Sequence, residues 1–141
     1  MRAKRRAAAP GAFQSIASGD IVKKDRIFRT RTFTRWMRKS GVPEEALRQS
    51  VSEMVSGLVE ADLGGHLYKK RIRLSGQGKR GGGRVIVASH WHDRWFFLYG
   101  FAKNERSDIS DSDLKALREL ALSLLALSDS GIRRAKAEGL I

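Results

Sequence analysis

Two apolar segments separated by three residues constrain the fold of this chain more than any other feature. Arg84–His90 reads RVIVASH and is rich in β-branched side chains, and Arg94–Ala102 reads RWFFLYGFA with five aromatics. Both compositions suit strands, and the aromatic one suits the centre of a sheet. Trp91, His92 and Asp93 leave room for a short turn alone, so the two segments should pair as an antiparallel hairpin. Gly100 inside the second segment predicts a bulge or a close backbone approach.

Upstream of the hairpin, His66 to Arg84 holds seven Lys or Arg residues and no carboxylate. Lys69, Arg71 and Arg73 alternate with Lys70, Ile72 and Leu74, which is the period of a strand over Leu67–Leu74. Gly76 to Gly83 breaks that strand with a glycine-rich basic loop, and Gly81 to Gly83 provide a hinge before Arg84. A run of like charge repels itself, and phosphate is the simplest external neutraliser.

The remaining segments supply helices. Ile27–Phe33 alternates as a half-buried strand, and Phe33–Lys39 places Phe33, Trp36 and Met37 on one helical face before Gly41. Pro43–Asp62 reads as a helix with Glu44 and Glu45 at its positive end and a stripe of Leu47, Val51, Met54, Val55 and Leu58. Ser110–Leu127 is a second helix, capped by Ser110, with Asp111 and Asp113 in its first turn and Leu114, Leu117, Ala121, Leu124 and Leu125 on its apolar face. Asp129–Glu138 is a short terminal helix. The order is β-α-α-β-β-β-α-α, one domain over 27–141, preceded by a basic tail over 1–26 whose small side chains predict disorder.

Charge narrows the partners. The formal charge is +13, and with residues 1–26 set aside it is still +8, so the basic character belongs to the domain as well as the tail. An anionic partner follows, either nucleic acid or an acidic protein surface. No apolar run approaches the roughly 18 to 20 residues needed to span a bilayer, and no secretory h-region is present. The absence of cysteine removes disulfides, thiolate catalysis and Cys-ligated zinc.

Most familiar catalytic patterns are missing. His90 and His92 form H-x-H without a third ligand at a usual spacing. Asp108, Asp111 and Asp113 are better explained by helix capping than by two-metal chemistry. Gly81–Gly83 leads into a strand, so it is not a P-loop. The chain offers cations instead: Lys69, Arg71 and Arg73 on one strand face, Arg84 on the next strand, and Lys103, Asn104 and Arg106 after the third. Such a cluster binds a phosphodiester and stabilises the added charge of a pentacoordinate transition state without metal. With RNA, the 2′-hydroxyl is an internal nucleophile, and a lysine among cations is a plausible acid/base group. A basic binding face without catalysis fits the same residues.

LYKKRI, GQGKRGGGRVIVA, DRWFFLYGFAKNERSDI and the preceding EMVSGLVEADLGG resemble the RelE/HigB-type toxins of bacterial type II toxin–antitoxin modules, in the RelE/ParE superfamily. The resemblance spans roughly residues 27 to 138. It implies an α+β, microbial ribonuclease-like fold, a twisted antiparallel sheet with helices packed on one face and the active site on the other. It further implies a cytoplasmic, cofactor-independent mRNA endoribonuclease, often acting on the ribosome and held inactive by a cognate antitoxin from an adjacent gene. Operator DNA would be reached through the antitoxin complex alone. By this resemblance Lys69, Arg71, Arg84 and Arg106 fall on catalytic positions; read from their charge and placement, Arg73, Lys79, Arg80, Lys103 and Asn104 would contact RNA. Gly83 replaces the aromatic of the G-[YF]-R motif, Asn104 stands where ribosome-dependent members often have a catalytic arginine, and Ser110 where many have a tyrosine. HigB-type relatives carry similar KNER sequences. ParE-type relatives poison DNA gyrase on the same fold, and a degenerate toxin would bind antitoxin and operator alone, so fold does not choose among these activities.

Overall fold

A computed structural model describes residues 26–74, 82–91 and 93–141. The tail over 1–25, the loop residues Lys79, Arg80 and Gly81, and His92 therefore lie outside the described residues. Five strands and four helices follow in the order β1 (Arg26–Arg29), α1 (Arg31–Ser40), α2 (Glu44–Val55), β2 (Ala61–Gly64), β3 (Leu67–Ile72), β4 (Gly83–Ser89), β5 (Arg94–Ala102), α3 (Asp111–Leu125) and α4 (Asp129–Ala137). The sheet order is β1-β5-β4-β3-β2. The expected β4–β5 hairpin is present and central, and Trp91 takes a positive φ of 67° at its turn.

The α+β class holds, with two differences in detail. First, the sheet is mixed, because β1 pairs parallel to β5 while the other pairs are antiparallel. The chain reaches β5 from β1 through two helices and three strands, and such a long connection permits a parallel pair. Second, helices cover both faces. Along β4, Val85 and Val87 join a core with Phe33, Met37, Leu47, Val51 and Met54 of α1 and α2, whereas Ile86 and Ala88 join one with Ala121, Leu124 and Ile132 of α3 and α4. Consecutive strand residues point to opposite faces, so the two cores lie on opposite sides of the sheet. The unbroken apolar run of β4, buried at every position, is the sequence mark of such a strand.

The second helix is shorter than its sequence pattern suggests. It ends at Val55, Gly57 turns the chain with a φ of 98°, and Leu58 is left 58% exposed instead of in the core. Left-handed glycine conformation closes helices in this way. The released residues form β2, an edge strand pairing with β3 that helical periodicity had concealed. At the N-terminal end, α1 starts at Arg31, earlier than expected, because the Thr30 side chain accepts the Phe33 N–H as a cap. Ser110 caps α3 as its sequence predicts.

Two features of β5 set the position of the site. A Cβ on Gly100 would collide with the Trp36 indole, so the predicted close approach is that of α1 to the sheet. One turn earlier, Ile86 pairs with Tyr99 and Val87 with Phe97, which leaves Leu98 as an extra residue. This bulge keeps Leu98 and Tyr99 on the same side of the sheet, the side of α3 and α4.

Candidate nucleic-acid cleavage site

The face shared with α3 and α4 carries the basic residues. Cross-strand register aligns Lys69, Ile86 and Tyr99 in one row and Arg71, Arg84 and Phe101 in the next. Residues that share a row and a face stand side by side. The segment from Lys103 to Asp113 borders these rows. Its start is tied to the far end of the glycine loop, since the Lys103 N–H donates to the Gly82 carbonyl at 2.9 Å.

Each cation has a distinct environment. Arg71 and Arg73 are exposed and make no ion pair among the described residues. Lys69 is half-buried, with Nζ 3.2 Å from Asp108 Oδ1. Arg84 is 5% exposed, with Nε 2.6 Å from Glu60 Oε1 and one guanidinium N–H donated to the Gly83 carbonyl. Arg106 donates to the Tyr99 phenol oxygen at 3.2 Å, lies over that ring at 5.9 Å from its centroid, and is 3.6 Å from Asp113. Lys103 donates to the Ser107 carbonyl at 3.1 Å, and Asn104 is exposed. The structure thus brings Lys69, Arg71, Arg84 and Arg106 to one face, with Lys103 and Asn104 in the bordering segment.

Alternation sends Lys70 to the other face. There it is 7% exposed and 2.7 Å from Glu53 of α2. The Lys70 hydrogen bond, helped by Gln49, holds the Glu53 carboxyl below its ordinary range. On the basic face, the Ile109 N–H holds the Asp108 carboxyl low and Lys69 adds to the effect, while burial opposes both. Asp108 is therefore the anionic partner of Lys69, a role that helix capping did not foretell.

Three participants were not legible in the sequence. Glu60 sat inside a pattern read as helix. Asp108 looked like a helix-start residue. Tyr99 was counted among strand aromatics, and only the bulge at Leu98 turns it to the basic face. Phosphate groups of a nucleic acid can replace the carboxylates on Lys69 and Arg106 without moving the strands, since those partners come from the bordering segment and the first turn of α3. No group of three or more His, Cys, Asp or Glu residues among the described residues could hold a metal ion.

A sheet covered by helices on both faces, with a cluster of cations on one of them, defines a small α+β protein suited to a polyanion. Residues 25–141 match the family described as RelE toxin of RelE / RelB toxin-antitoxin system, and the chain belongs to that family. No curated protein matches it. The chain is thus a toxin of a toxin–antitoxin system with an antitoxin as partner, and its α+β architecture is the RelE-like fold that the sequence implied. No helix among the described residues is long and apolar enough to cross a membrane.

Proposed function

We propose that this toxin is a metal-independent endoribonuclease that cleaves mRNA on the ribosome in the cytoplasm, and that a cognate antitoxin from an adjacent gene neutralises it. Operator DNA is contacted through the toxin–antitoxin complex. The observation that carries this reading is the convergence of Lys69, Arg71, Arg84 and Arg106 on one sheet face. The 2′-oxygen attacks the adjacent phosphorus, the bond to the 5′-oxygen breaks, and the products are a 2′,3′-cyclic phosphate and a 5′-hydroxyl. Arg84, held from behind by Glu60, meets the charge that develops on the phosphoryl oxygens. Arg71 and Arg106 grip the phosphate; the Lys69 ammonium, released from Asp108, gives a proton to the departing 5′-oxygen, and solvent water takes the proton of the 2′-hydroxyl. Arg73, Lys103 and Asn104, with Lys79 and Arg80 of the loop, position the flanking RNA.

The test is primer extension on mRNA from a translating extract treated with the purified chain, with the chemistry of the cut ends determined in parallel. Codon-phased cuts ending in a 2′,3′-cyclic phosphate and a 5′-hydroxyl are expected. Cuts that leave a 3′-hydroxyl and a 5′-phosphate, the products of metal-activated water, would refute the metal-free mechanism.

One observation favours a second reading. Lys69, Arg84 and Arg106 each touch a carboxylate, and Ser110 is occupied in capping α3. A catalytically inert toxin that only binds its antitoxin and operator would look like this, and it would leave mRNA whole in the same assay. Whole mRNA with accumulating double-strand DNA breaks would identify gyrase as the target.

A further inference from the structure

We propose that Tyr99 is a catalytic residue of this site, donating its phenolic hydrogen to a non-bridging oxygen of the scissile phosphate. The inference rests on the ribonuclease reading above. Tyr99 stands in the same cross-strand row as Lys69, across Ile86, and is half-buried with its ring against the fully packed Phe101 at 6.2 Å between centroids. Packing alone would be met by phenylalanine, as it is at Phe96, Phe97 and Phe101 of the same strand.

The hydroxyl is what distinguishes this position. A phenol offers one donor and accepts through its lone pairs. Arg106 supplies the accepted hydrogen bond at 3.2 Å. Among the described residues the phenolic hydrogen itself meets no acceptor. It therefore remains available on the face where Lys69, Arg71 and Arg84 gather. The guanidinium N–H drawn to the phenol oxygen polarises the O–H bond and makes it a better donor. A phosphate seated between Lys69 and Arg106 would take that hydrogen, and the bond would shorten as negative charge grows in the transition state. The bulge at Leu98 is the device that aims the ring here, because an unbulged β5 would turn residue 99 towards α1.

A merely structural Tyr99 would act through Arg106, holding its guanidinium in place. The two roles separate in a double-mutant cycle of Tyr99→Phe and Arg106→Lys, read as single-turnover cleavage of mRNA on programmed ribosomes. Binding is measured in parallel with mRNA carrying a 2′-deoxynucleotide at the cut site. Tyr99→Phe is expected to cut about tenfold more slowly than wild type, with affinity for the uncleavable mRNA within about twofold, and with an unchanged melting temperature. In the Arg106→Lys background the same substitution should still slow cleavage, by a smaller factor, because the phenol there has lost the guanidinium N–H that polarises it. Wild-type rate in Tyr99→Phe overturns the proposal. So does a double variant no slower than Arg106→Lys, which would leave Tyr99 a positioning residue. Absence of cleavage by the wild type in this assay would instead overturn the ribonuclease reading, and this inference with it.

Discussion

Lys69 and Lys70 are neighbours in the chain and opposites in the fold. Lys70 points to the face closed by α1 and α2, where a carboxylate from a helix holds it among apolar side chains. Lys69 points to the face that α3 and α4 cover in part, where a carboxylate from a loop holds it beside exposed Arg71. The same contrast extends to the whole of each face. On the first, aromatic and aliphatic packing reaches from Met54 through Val85 to Phe97, and Trp36 seals β5 at Gly100. On the second, packing covers Ile86, Ala88 and Phe96, then gives way to the rows of cations. One face uses charge to finish a core, and the other leaves Lys69 half-buried and Arg71 exposed. A basic strand is therefore not one unit: its period of two divides it into a buried half and a more exposed one.

Substitutions on the two faces should produce different failures. Arg84→Ala is expected to lower mRNA cleavage by about a hundredfold or more, read by primer extension. Cleavage at wild-type rate would remove the distinction between the faces at its most important residue. Gly100→Ala should leave the cations in place but force Trp36 off β5, costing about 1–3 kcal/mol and lowering the melting temperature. Specific activity per folded molecule should hold. Arg71→Ala should slow cleavage about tenfold without affecting the melting temperature, since no described partner depends on it.

Lys70→Met makes the subtlest test of the closed face. The substitution removes one partner and leaves the Glu53 carboxylate without its lysine, so the melting temperature at neutral pH should fall while cleavage per folded molecule stays near wild type. The acid limb should change. The Glu53 carboxyl is held low in the folded protein, chiefly by Lys70, so its stabilisation is present above the ordinary carboxylate pKa and is lost as pH falls through the lowered folded value. Melting temperatures across pH 3 to 6 should therefore fall less steeply in the variant; equal slopes would show that the pair contributes nothing to acid stability. The smallest effect is expected from deleting residues 1–24, which precede the family match and leave β1 whole. Cleavage should be unchanged, and a toxin that loses activity while keeping its fold would show that the tail works with the site.

Local patterns carried much of this molecule. The β4–β5 hairpin, the alternation of β3, the Ser110 cap and the close approach at Gly100 all follow from neighbouring residues, because turn chemistry, strand period and capping act over a few positions. The basic face was legible for the same reason, as were Lys69 and Arg71 on it. Long-range partners were not. Glu60 meets Arg84, and Asp108 meets Lys69 across 39 positions. No local propensity specifies such pairs, since they depend on strand order and register. Helical spacing through Leu58 also outran the helix, because the pairing of β2 with β3 competes for the same backbone groups. The orientation of Tyr99 rests on a single unpaired residue, Leu98, and a one-residue bulge has no sequence signature here beyond a nearby glycine. Periodicity assigns side chains to a face of their own strand; register and bulges, settled by packing against both layers of helices, decide which of them meet.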